Sequence, residues 1–113
     1  MYEKLQAVVG TLFVDLDGTV LHSETEKPLE GAVEKLKSSR DKGWMIVLTT
    51  YRGNPWGKHH KYGVLSTLST LRLLDIPFDE IVWNSPSPRV LINDEPCHAI
   101  PHQHNGSWTA YDF

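Results

Sequence analysis

Asp15 and Asp17 stand two residues apart, followed by Gly18 and Thr19, where the apolar run Val8-Val9-Gly10-Thr11-Leu12-Phe13-Val14 ends. Successive side chains of a strand point to opposite faces, so both acids leave the same face if the backbone stays extended. Gly18 lets the chain turn sharply without a side-chain clash. Two carboxylates this close are not comfortably charged together without a cation beside them. The plainer reading is a strand that ends in acidic residues, with Asp17-Gly18 as a turn. The apolar strand, the second Asp and Thr19 together weigh against it.

The elements that must position these residues follow from periodicity. Val8 to Asp15 reads as a first strand, nearly continuous in apolar and β-branched residues, as strands buried on both faces are. Residues 21–27 are polar and acidic and read as an exposed loop or small flap. Pro28 suits the first turn of a helix. Leu29, Ala32, Val33 and Leu36 recur at helical spacing, and Lys42-Gly43 closes that helix with a cation and a glycine stop. Trp44 to Thr49 is a second strand without alternation. Residues 51–60 form a loop. A second helix is expected from about Lys61 to Leu74, with Val64, Leu65, Leu68, Leu71 and Leu74 as its apolar stripe, ended by Asp75-Ile76-Pro77. Residues 80–83 and 89–93 are expected as third and fourth strands.

The order β-α-β-α-β-β argues for a small, mostly parallel α/β sheet with right-handed crossovers. Ligands of such sheets bind at the carboxyl ends of the strands. Asp15, Thr50 and Asp94 all fall at or just beyond strand ends, so they are expected to converge. Residues 1–100 are taken as the core domain and 101–113 as a C-terminal tail.

The chain has 113 residues, which argues for one domain with one core. Its net charge of -3 leaves no basic footprint, so nucleic acid is not indicated. Phosphorylated small molecules stay in play, because a metal can neutralise their charge. Cys97 is the single cysteine, so no internal disulfide forms and a reducing compartment fits. The first seven residues do not read as a secretory signal, and no stretch approaches a membrane span. A cytoplasmic location is expected.

Asp-x-Asp-Gly-Thr after an apolar strand resembles the nucleophile motif of the haloacid dehalogenase (HAD) superfamily of phosphohydrolases. The resemblance implies a three-layer, HAD-like Rossmannoid α/β fold. It implies a Mg2+-dependent phosphomonoesterase working through an aspartyl-phosphate. Asp15 is then the nucleophile, Asp17 the general acid and base, and Thr50 the hydroxyl that holds the phosphoryl group. The metal is then carried by Asp15, the main-chain carbonyl of Asp17, and Asp94. Gly18, Thr19, Arg52, Lys58 and Lys61 are the expected substrate-binding residues, although Arg52 equally suits pairing with an acidic neighbour. Thr50 equally suits a turn cap.

The fullest resemblance is to small capless proteins of capsular-polysaccharide clusters and phages. It covers the first strand to about Ile100 and takes in Arg52-Gly53-Asn54, Gly57-Lys58-His59-His60-Lys61 and Pro77-Phe78-Asp79-Glu80-Ile81. Two stations depart from the pattern. Ser85 stands where the family places a Lys, and Asn93 where it places the first of two Asp residues. Lys and carboxylate are lost together, which keeps the charge balance. Losing one preorganised cation typically costs on the order of 10²–10³ in rate. Lys58, Lys61 or Arg89 are the cations that could reach the site instead. Only about ten residues separate Asp17 from the first helix, so no cap domain fits. An open site suits a phosphorylated small molecule or an exposed phosphate on a larger substrate, and a partner subunit of a homo-oligomer could close it.

Two other readings compete. The departures at Ser85 and Asn93 motivate a weakened relative that binds a phosphorylated ligand or a protein partner without efficient turnover. A receiver-like signalling domain would need an Asp after its central strand, and none follows the second strand here. His98, His102 and His104 invite a metal reading that lacks nearby partners. Trp56 is a candidate pocket wall, while Trp44 and Trp83 read as packing.

Overall fold

The structure is a computed structural model and describes residues 8–53 and 62–112. Strand β1 (Gly10–Asp15) and strand β2 (Trp44–Thr49) flank helix α1 (Ala32–Asp41) in sequence, and helix α2 (Val64–Leu73) leads to strand β3 (Glu80–Val82). The three strands pair in parallel, in the order β1-β2-β3. The register sets Asp15 beside Thr49 and Thr49 beside Val82, so the three strands end together. Among the described residues no helix is long and apolar enough to cross a membrane. The expected small parallel α/β fold without a cap is what the structure shows.

The central strand is buried as its unbroken apolar run requires, with Ile46, Val47 and Leu48 all inside. The first strand is not buried on both faces as expected. It lies at the sheet edge, and its residues alternate between shielded and exposed. Leu12 and Val14 face the core, whereas Phe13 is 60% exposed. Buried residues of both helices, Ala32 and Leu36 of α1 and Leu71 of α2, join Val14, Ile46 and Leu48 in one cluster. Two crossovers stepping in the same direction with the same hand place both helices on one face.

Helix α1 starts four residues after Pro28, because Gly31 takes a left-handed φ of 80° and Pro28 bridges to Leu21 instead. It stops at Gly43, whose φ of 103° only glycine adopts easily. Helix α2 buries Thr67 and Leu71, while Leu65 of the expected stripe is 83% exposed. Its end is where Asp75-Ile76-Pro77 placed it: Asp75 turns left-handed and the Ile76 amide returns to the Leu71 carbonyl.

The expected fourth strand is absent. Residues 83–112 hold no helix or strand, and Val90 and Ile92 are 83% and 92% exposed. A strand parallel to β1 would have to begin beside Gly10. Arg89 is instead tied to Asp15 at the opposite end of β1. Cys97 is exposed in the same stretch. The residues read as a tail pack firmly: Trp108 is 2% exposed, belongs to the core cluster, and its amide bonds the Glu30 carbonyl.

Candidate active site

The segment after β1 turns tightly. The Leu16 carbonyl accepts the amides of Thr19, Val20 and Leu21, and the Gly18 amide bonds the Leu21 carbonyl at 2.7 Å. Val20 and Leu21 are fully buried and anchor this turn, so residues 22–27 form a small flap on a fixed base. Gly18 has a φ of 83°, which excludes most side chains. A Cβ there would also lie 2.4 Å from Nδ1 of His104.

Asp15 has a side chain 37% exposed. Its Oδ2 accepts the Thr19 hydroxyl at 3.2 Å, and Arg89 Nη1 donates to Oδ1 at 2.9 Å. Arg89 is steadied by donating Nε and Nη2 to the Ser85 carbonyl. Ser85 is placed in turn by its amide on the Thr50 carbonyl at 2.9 Å. Of the three cations named as replacements for the missing Lys, Arg89 is the one seen at the site. Lys58 and Lys61, like Trp56, lie outside the described residues.

Asp17 is held from the other side. Arg52 Nη2 donates to its Oδ1 at 2.6 Å and Nε reaches Oδ2 at 3.0 Å, a two-pronged grip. Arg52 Nη1 donates to the Thr67 hydroxyl at 3.2 Å and forms an ion pair with Glu26 Oε2 at 2.7 Å. That buried Glu26 oxygen has no aligned hydrogen bond. The Tyr62 ring lies 4.4 Å from the guanidinium carbon. Arg52 itself is 1% exposed. Burial works against its charge, but the hydrogen bond and charge of Asp17, with the charge of Glu26, outweigh that, so its pKa is raised above the ordinary arginine value. Of its two expected roles, the structure shows the pairing with acidic neighbours. Neither Glu26, Thr67 nor Tyr62 was singled out in the sequence. Glu26 sits in the acidic flap, and only the fold brings it to Arg52.

Thr50 is buried, and its hydroxyl oxygen accepts the Arg52 amide at 3.0 Å, the geometry of a turn cap. Its amide bonds the Val82 carbonyl, which fixes it at the end of β2. Asp15, Asp17, Gly18, Thr19, Thr50 and Arg52 therefore gather at the carboxyl ends of β1 and β2.

Asp94 is exposed in the irregular stretch after β3, where Asn93 Nδ2 donates to the Glu95 carbonyl at 2.9 Å. Among the described residues no three His, Cys, Asp or Glu side chains come together as a metal site. Mg2+ takes one or two carboxylates and fills its other positions with water and substrate phosphate. The partly exposed Asp15 carboxylate suits that donor role. His102 contacts the Tyr111 hydroxyl and the Gly106 carbonyl, and His104 Nε2 meets the Ser23 hydroxyl at 3.1 Å.

The arrangement can present one partly exposed carboxylate between a hydroxyl and a guanidinium. A carboxylate so placed can serve as a nucleophile, and the positive charge alongside suits an anionic group.

No protein-family model matches this chain, and no curated protein matches it. Among solved structures, a protein from Bacteroides thetaiotaomicron analysed among phosphatases of the HAD superfamily aligns at TM-score 0.47 and 28% identity, over 68% of this chain and 24% of its own. A structural-genomics target from Vibrio cholerae aligns at TM-score 0.57 and 26% identity, over 76% of this chain and 80% of its own. Over three-quarters of its length, the chain thus shares its fold with the Vibrio cholerae protein.

Proposed function

We propose that this protein is a HAD-type phosphohydrolase that cleaves phosphate monoesters through an aspartyl-phosphate on Asp15. The observation that carries the reading is the Asp15 carboxylate at the end of β1, with the Thr19 hydroxyl on one oxygen and Arg89 on the other. The Asp-x-Asp-Gly-Thr motif and the shared parallel α/β fold support it.

An Asp15 oxygen bonds to phosphorus while the ester oxygen leaves and takes a proton from Asp17. Water then attacks the phosphorus, returns a proton to Asp17, and releases inorganic phosphate from Asp15. Arg89 sits where it can share the phosphoryl charge, and Thr19 fixes the rotamer of the nucleophile. Mg2+ belongs to this reading. Asp15 and the main-chain carbonyl of Asp17 would hold it, and it would neutralise charge on the phosphoryl oxygens. With no cap over the site, the substrates that suit it are a phosphorylated small molecule or a phosphate exposed on a larger one, as in the small capless proteins of capsular and phage type.

Binding without turnover is the second reading, and the grip of Arg52 on both Asp17 oxygens favours it. Hydrolysis of p-nitrophenyl phosphate with Mg2+ separates the two. The expected outcome is turnover that Asp15→Asn reduces to background. Equal rates for the two proteins, or none for either, would remove the phosphohydrolase reading.

A further inference from the structure

The nucleophile loop is completed from the far end of the chain. The Asn105 amide donates to the Gly18 carbonyl at 2.8 Å. The Trp108 indole N–H donates to the Thr19 carbonyl. These are consecutive carbonyls of the turn that follows Asp17, and Thr19 is the residue whose hydroxyl meets Asp15. The ring of His104 lies directly against Gly18.

Both donors are themselves anchored. Asn105 holds a left-handed φ of 59°, which an asparagine tolerates better than most residues. Its side chain accepts the Ser23 amide at 2.9 Å and donates to the Ser23 hydroxyl at 3.1 Å, locking it to the flap. Trp108 is buried, and its ring meets Tyr111 edge-on at 5.3 Å between centroids. Its amide bonds the Glu30 carbonyl, just ahead of α1. Lys35 of α1 donates to the Tyr111 carbonyl. The segment is therefore fastened to the flap and to α1, and reaches the loop from a fixed base.

We propose that Asn105 and Trp108 are positioning residues for Asp15. They set the two loop carbonyls, which sets where the Thr19 hydroxyl stands and so which rotamer the Asp15 carboxylate keeps. A nucleophile displaced by a fraction of an ångström loses much of its in-line alignment. The proposal rests on the reading of Asp15 as nucleophile for its kinetic arm, but its structural arm is independent of that reading.

Two mild variants test it. Trp108→Phe keeps most of the ring and removes the N–H. Asn105→Gly keeps the left-handed backbone and removes the ties to Ser23. Each is compared with wild type and with Ile76→Val, a core variant remote in sequence from the loop, used to report what general loosening does. The expected result for Trp108→Phe is a fall in kcat of about tenfold with KM unchanged, following the loss of one preorganised hydrogen bond. Asn105→Gly is expected to do the same to a smaller extent. Hydrogen exchange of the Gly18–Leu21 amides is expected to quicken at least fivefold in Trp108→Phe while the β2 amides stay as in wild type. Unchanged exchange in that loop overturns the proposal, as does a fall in kcat that Ile76→Val reproduces. If wild type shows no hydrolysis, the phosphohydrolase reading fails, and the exchange result alone decides whether the segment positions the loop.

Discussion

Arg52 is the residue on which most of the site converges. Its guanidinium joins Asp17, Glu26 and Thr67, so one buried cation ties the loop after β1, the flap and α2. Removing one partner of a buried ion pair leaves the others uncompensated and costs about 3–5 kcal/mol. Arg52→Ala is therefore expected to lower unfolding stability by about that amount, read from urea denaturation. The pH dependence has a definite sign. A cation whose folded pKa is raised stabilises at all pH values below its unfolded pKa, and loses that contribution only as pH climbs through the higher folded value. For arginine that window is strongly alkaline. The difference in stability between wild type and Arg52→Ala is expected not to shrink between pH 7 and 10, and a shrinking gap there would contradict the clamp. That the motif residues gather at the strand ends was legible, because their positions follow apolar runs that form β1 and β2. The partners of Arg52 were not, since nothing local in the chain links residue 26 or 67 to residue 52.

At the scale of elements, the strands that pair were readable and the one that does not pair was misjudged. Trp44 to Thr49 matches its expected bounds because an unbroken apolar run in a central strand has both faces to bury. The run Arg89-Val90-Leu91-Ile92-Asn93 looks much the same in composition, yet a strand exists only with a ladder partner. The Arg89 tie to Asp15 starts that run at the wrong end of β1. Helix α2 shows a milder error. Five apolar residues at helical spacing span a wider arc than one contact face, and the fold chooses Leu71 over Leu65. Leu71→Ala is expected to cost about 2–5 kcal/mol, whereas Leu65→Lys is expected to stay within about 0.5 kcal/mol of wild type. Thermal melting of both variants checks the choice, and equal losses would place the buried face elsewhere on the helix. The tail was unreadable for a different reason. Trp108 stands among polar residues with no periodicity around it, and its burial depends on a docking partner more than 80 residues away.

For the molecule as a whole, β1, an edge of the sheet among the described residues, is the exposed flank. Phe13 is 60% exposed there, and Val90, Leu91 and Ile92 add apolar surface after the sheet. Open strand edges with apolar side chains invite pairing between chains. Sedimentation is expected to show concentration-dependent self-association that Phe13→Lys weakens. Association that is unchanged in that variant would point to another surface. The solitary thiol of Cys97 lies in the same irregular stretch, open to solvent. A maleimide dye or spin probe would therefore attach at one known place without any prior cysteine removal. Its signal would report on residues 86–100, so this flank could be watched in real time.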